Sequence, residues 1–171
     1  MILIKKKIFG KDGTEYTEKI TTEPLPPKLV LEELNEAEIK FINNNIELSK
    51  ELLLAQGLEK SEFIFQLDNL EMAVKAWHEK DLEKRFKIDI NMYSDSLAVA
   101  WGKFLEEKIG MNWYVITDQY GTEMGLYHKC NNVTIFPFTS MLKALKNNDY
   151  NLISIITNKI LTVIQNNEKR P

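Results

Sequence analysis

The chain predicts an α+β protein: a small antiparallel sheet, made of an N-terminal hairpin and a three-stranded meander, packed against about four to five helices. Three observations carry that expectation. Between Asn35 and Val163 apolar residues recur at helical spacing in several stretches, each opened or closed by capping residues. From Asn112 to Phe138 the pattern changes to short runs of aromatic and β-branched residues separated by turns. Ser94 to Phe138 joins the two, a long apolar-faced helix running straight into three strands, and the rest of the chain covers it. The 171 residues divide into 1–25, a hairpin with a proline-rich connector, and 26–171, a single α+β domain.

The hairpin rests on Asp12-Gly13, a strong short-range turn signal between residues 2–9 and 14–22. Lys5, Lys6 and Lys7 suit an edge strand that resists aggregation better than a phosphate site in an acidic chain. Pro24, Pro26 and Pro27 then forbid helix or central strand, leaving a stiff connector. The first helix is announced by Asn35 and Glu38 at capping-box spacing, with Leu34 and Ile39 as a staple. Its expected buried stripe is Leu34, Ala37, Phe41, Leu48, Leu52 and Ala55, and Gly57 ends it.

Asp68 and Glu71 give the same box for a second helix, with Leu70, Val74 and Trp77 as its apolar face. The mixed charges from His78 to Arg85 read as a solvated helix end and loop. A central helix is expected to start at Ser94 or Asp95 and stop at Gly110. Strands follow over 112–117, 122–128 and 133–138, with Pro137 at an exit or edge. A short helix over 140–146 and a longer one, striped by Leu152, Ile153, Ile156, Ile160 and Val163, close the chain.

The order of central helix, Gly110-Met-Asn-Trp113, the Thr117-Asp118-Gln-Tyr-Gly121 turn and the Thr134-Ile-Phe136-Pro137 strand end resembles the bacterial domain of unknown function numbered 3806. The likeness covers roughly residues 67–165, and Pro26-Pro27-Lys-Leu-Val-Leu31 fits the family's lead-in. It implies the fold and supplies no catalytic residue. The loop Lys129-Cys130-Asn-Asn132, after Leu126-Tyr127-His128, is less neutral than the family pattern.

Composition bounds the function. Hydrophobic residues at 44% and charged residues at 27% are globular values, so a core forms without a disulfide or metal staple. The formal net charge of −3 disfavours nucleic acid and anionic lipid as partners. A single cysteine excludes an intramolecular disulfide. The apolar run at the N-terminus is too short for a secretory signal, and no stretch reaches the ~18 apolar residues of a membrane span. A cytoplasmic protein is expected.

No nucleophile elbow, phosphate-binding glycine loop or His-Glu-x-x-His helix is present, and no cofactor is expected. His128 and Cys130, two apart, could share one side of a strand. A structural zinc site wants four ligands, and beyond them only His78 adds a nitrogen donor, so no metal is expected. Cys130 with His128 or His78 as base, or Asp118 paired with Glu123, would suit a small hydrolase. Asp118 at a turn more simply accepts backbone N–H bonds.

Binding offers the stronger expectation. Alternation places Tyr114 and Ile116 opposite Trp113, Val115 and Thr117. If helices cover one face only, Tyr114, Tyr127 and Phe136 form an exposed patch; alternatively the hairpin or a helix covers it. The candidate binding residues are Tyr114, Ile116, Tyr120, Glu123 and Tyr127. The favoured function is a non-enzymatic protein-binding module, most concretely an immunity-type protein that neutralises a basic bacterial toxin by occlusion. The alternatives are the small hydrolase using Asp118, His128 and Cys130, and a scaffold or dimerisation domain.

Overall fold

The computed structural model describes residues 3–9, 15–21, 29–58, 65–80 and 82–168. Strands β1 (Leu3–Phe9) and β2 (Glu15–Thr21) pair antiparallel from Leu3↔Thr21 to Phe9↔Glu15, as the Asp-Gly signal predicts. The turn itself and the proline connector lie outside the described residues.

A second sheet has four antiparallel strands, not three. β3 (Val30–Glu32) lies at its edge, followed by β4 (Asn112–Asp118), β5 (Gly121–His128) and β6 (Val133–Ile135). β3 escapes a sequence reading because three residues are too few to display a period of two. Its pairing with β4, Leu31 opposite Ile116, is non-local.

Helix α1 (Glu36–Ala55) begins with the expected capping box. Asn35 Oδ1 accepts from the N–H groups of Ala37 and Glu38 at 2.9 and 3.1 Å, and Glu38 accepts from Asn35 N–H at 2.8 Å. Gly57 follows its end with φ +77°. The buried face differs from the expected stripe: Ile42, Asn45, Ser49, Leu52 and Leu53 point inward, while Ala37 and Ala55 are exposed. Two polar residues sit there at low cost because each bonds its own helix. Asn45 Nδ2 donates to Phe41 O at 3.0 Å and Ser49 Oγ to Ile46 O at 2.7 Å.

Helix α2 (Leu67–Glu79) starts at Gln66, so Asp68 lies inside the first turn and the Asp68–Glu71 box does not form. The charged run includes a further short helix, α3 (Leu82–Phe86). Helix α4 (Ile90–Ile109) starts a turn earlier than expected, because Asp89 rather than Ser94 or Asp95 caps it, accepting from Asn91 and Met92 N–H at 2.8 and 2.9 Å. Gly110 ends it with φ +78°. Every residue from Ser96 to Gly102 in α4 is buried, which makes it the central element.

Helix α5 (Pro137–Asn147) uses Pro137 as its first residue, so the proline opens a helix instead of leaving a strand. Helix α6 (Leu152–Glu168) buries Ile153, Thr157, Ile160 and Ile164; Val163, expected inside, is 43% exposed. Thr157 belongs to that face because its hydroxyl accepts from Trp101 Nε1 at 3.1 Å. The described residues thus hold six helices, α3 being the one beyond the expected number. No helix among them is long and apolar enough to cross a membrane.

Candidate functional site

The register of β4 with β5 sorts the sheet into two faces. Trp113 opposes Leu126 and Val115 opposes Met124 on one; Tyr114 opposes Gly125 and Ile116 opposes Glu123 on the other. The first face meets the helices. Trp113 packs on Phe138 of α5, ring centroids 5.6 Å apart, and Phe138 reaches Phe41 of α1 at 5.9 Å. Leu126 and Ile135 join the main core from the same side.

The second face carries the tyrosines. Tyr114 and Tyr127 meet edge to face, with centroids 6.3 Å apart at 78°, a favourable quadrupolar geometry. Tyr127 Oη donates to Asn132 Oδ1 at 3.0 Å, which ties it to the β5–β6 turn. Tyr120, at the β4–β5 turn, is 87% exposed.

Ile116 does not share that exposure. It is fully buried, so it is removed from the predicted contact surface. The cause is Gly125 across the ladder. A Cβ there would lie 2.9 Å from Ile116 Cδ1, 3.0 Å from Phe136 Cδ1 and 2.8 Å from Ile135 O. Ile116 and Phe136 fill the space that a side chain at 125 would need.

Glu123 is engaged within the molecule. Its carboxylate accepts from Thr139 N–H at 3.2 Å and from Thr139 Oγ1 at 2.7–2.8 Å. Phe136 gives α5 no side-chain cap, so a carboxylate from the sheet satisfies a first-turn donor and complements the helix dipole. Asp118 Oδ1 accepts from Tyr120 and Gly121 N–H at 2.7 and 3.2 Å, closing the turn. Both carboxylates border a cleft of about 280 Å³, yet both are occupied by backbone donors.

The hydrolase grouping is not assembled. Asp118 pairs with Gly121 at one end of β5, and His128 ends the strand seven residues later. At a strand's rise per residue that is about 23 Å. His128 Nδ1 accepts from Asn131 Nδ2 at 3.1 Å, and Cys130 is exposed in the following turn. His78 is held elsewhere, its Nε2–H donating to Leu145 O at 2.6 Å. Among the described residues no three His, Cys, Asp or Glu side chains converge as metal ligands.

Tyr114 also borders a groove of about 480 Å³ between α1, α4 and the start of β4. Its walls come from segments more than fifty residues apart, so no local pattern marks it.

Comparison with known proteins agrees with this architecture. Residues 71–154 match the model of a family described as Domain of unknown function (DUF3806), and the chain resembles that family from α2 through α5. A solved structure from Bacteroides thetaiotaomicron VPI-5482, determined at 1.50 Å resolution, is 20% identical with a TM-score of 0.53. The alignment covers 87% of this chain and 52% of that one, so this chain spans about half the length of its structural neighbour. The likeness concerns the fold alone. No curated protein matches the chain.

Proposed function

We propose that the protein is a non-enzymatic binding module, acting in the cytoplasm, whose tyrosine-bearing sheet face docks a second protein. In its most concrete form it is an immunity-type protein that occludes the site of a basic bacterial toxin. The observation that carries the reading is the edge-to-face pair Tyr114–Tyr127 on the sheet face opposite Trp113 and Leu126, with Tyr120 protruding from the β4–β5 turn at the other end of the same strands. Tyrosines give a large contact area at low entropic cost, which suits a recognition surface. The net charge of −3 favours encounter with a cationic partner.

The test is growth rescue. A basic toxin-like product, sought among the genes that neighbour this one, is expressed with and without the chain. Rescue by the native chain, lost in a folded Tyr120→Ala/Tyr127→Ala variant, supports the reading; each anchor removed should weaken binding by about 2 kcal/mol. Rescue that survives both substitutions would exclude this face. No rescue at all would exclude the immunity role.

A further inference from the structure

The groove beside Tyr114 combines apolar and acidic side chains. Ile39, Ile42 and Trp113 line it, and Ile39 is 47% exposed although large and aliphatic. Glu33 and Glu106 line it too. One cation, Lys103, also borders it, but its ammonium is shared, 3.8 Å from Glu106 Oε2 and 3.5 Å from Glu107 Oε1. Glu33 and Glu106 against Lys103 leave an excess of one negative charge among the residues lining the groove, and Lys103 is drawn further off by Glu107.

Glu106 shows the consequence. Burial raises its carboxyl pKa, Lys103 pulls it back only in part, and Glu107 pushes it further up. A half-desolvated carboxylate with an incomplete counter-charge gains from an added cation.

We propose that this groove receives an arginine side chain presented by a partner protein. The aliphatic stem lies on Ile39, Ile42 and Trp113, and the guanidinium sits between Glu33 and Glu106. Arginine fits the chemistry better than lysine because its head is weakly hydrated and its fork matches carboxylates. Its stem covers apolar surface while the charge stays at the rim. An acidic lining repels phosphate groups, and it also repels a second copy of this acidic chain. The inference deepens the binding-module reading and rests on it, adding a side-chain anchor next to the tyrosine face through Tyr114.

The test uses the full chain and a defined probe. Isotope-labelled protein is titrated with the capped peptide Leu-Arg-Leu-Arg-Leu, and separately with Leu-Glu-Leu-Glu-Leu, while the tryptophan indole N–H signals are followed. Trp113→Phe assigns the groove signal, and Trp101, buried and bonded to Thr157, serves as the internal control. The arginine peptide should move the Trp113 signal and leave that of Trp101 in place. Glu33→Gln/Glu106→Gln should weaken it about tenfold. Ile39→Ala, at a half-exposed helix position, removes apolar surface from the groove and should weaken binding as well.

Four results overturn the proposal: equal response to both peptides, no response to either, free arginine amide binding as tightly as the peptide, or a Trp113 shift on protein dilution alone. The peptide needs no cognate partner. Its failure therefore leaves the growth test to decide the binding-module reading, and failed rescue with intact peptide binding removes only the toxin.

Discussion

Gly102 occupies the middle of a helix, where glycine costs about 1 kcal/mol relative to alanine, so a steric reason is needed. A Cβ on Gly102 would overlap Cζ2 of Trp113, whose ring lies against the helix backbone. Phe138 packs at a tilt against Trp113 with a centroid distance of 5.6 Å, limiting how far the ring can retreat. Gly102→Ala should therefore destabilise the protein, with an overpacking cost of about 1–3 kcal/mol exceeding the gain in helix propensity. Urea unfolding followed by near-ultraviolet circular dichroism measures it. In a Trp113→Leu background the same substitution should cost less, because the clash is gone. A Gly102→Ala protein as stable as the native one would mean that the ring moves aside freely. Gly125 makes the equivalent space on the sheet, where the buried Ile116 and Phe136 occupy the room a side chain would need.

The caps of α2 and α4 look alike in sequence and differ in the structure. Asp89 accepts two N–H bonds at the start of α4, whereas Asp68 lies within the first turn of α2 and caps nothing. Asp89→Ala should cost about 1 kcal/mol, and Asp68→Ala about 0.5 kcal/mol or less. Paired denaturation curves at one pH distinguish them; equal losses would contradict the assigned boundaries. These elements show what local reading can reach. Asn35 with Glu38, Gly57, Gly110 and Asp118 were legible because each uses a fixed residue type at fixed spacing to satisfy nearby backbone groups. Polarity hides part of the buried faces: Asn45 and Ser49 are buried by bonding their own helix, and Thr157 by meeting Trp101 across the core. Asp118 and His128 are close enough in sequence to suggest one site, but the β4–β5 ladder puts them at opposite ends of a strand. The acidic groove was illegible because Glu33, Ile39, Glu106 and Trp113 meet only through tertiary packing.

At the scale of the whole molecule, the family segment 71–154 contains α4 and most of the sheet but not the layers that close them. β3 pairs with β4 from outside that segment, so excision would bare the edge of a seven-residue strand. α1 packs on α4 and brings the buried Leu52 and Leu53, while α6 brings Ile160 and Ile164. Trp101 would lose its acceptor Thr157, leaving a buried donor unpaired at a cost of about 1–3 kcal/mol. Tyr93 would lose Gln56, though it keeps its bond to Ala73 O. These losses fall on one side of a balance that is only about 5–15 kcal/mol for a whole domain. The excised segment should therefore aggregate, or retain helicity with weak near-ultraviolet signal and strong dye binding. The full chain should unfold with coincident tryptophan fluorescence and circular dichroism transitions. Size-exclusion chromatography and urea titration of both chains make the comparison. A sharp, reversible transition in the excised segment would show that α1, β3 and α6 are additions to an autonomous core. The groove formed by α1 and α4 would then be separable from the fold that carries it.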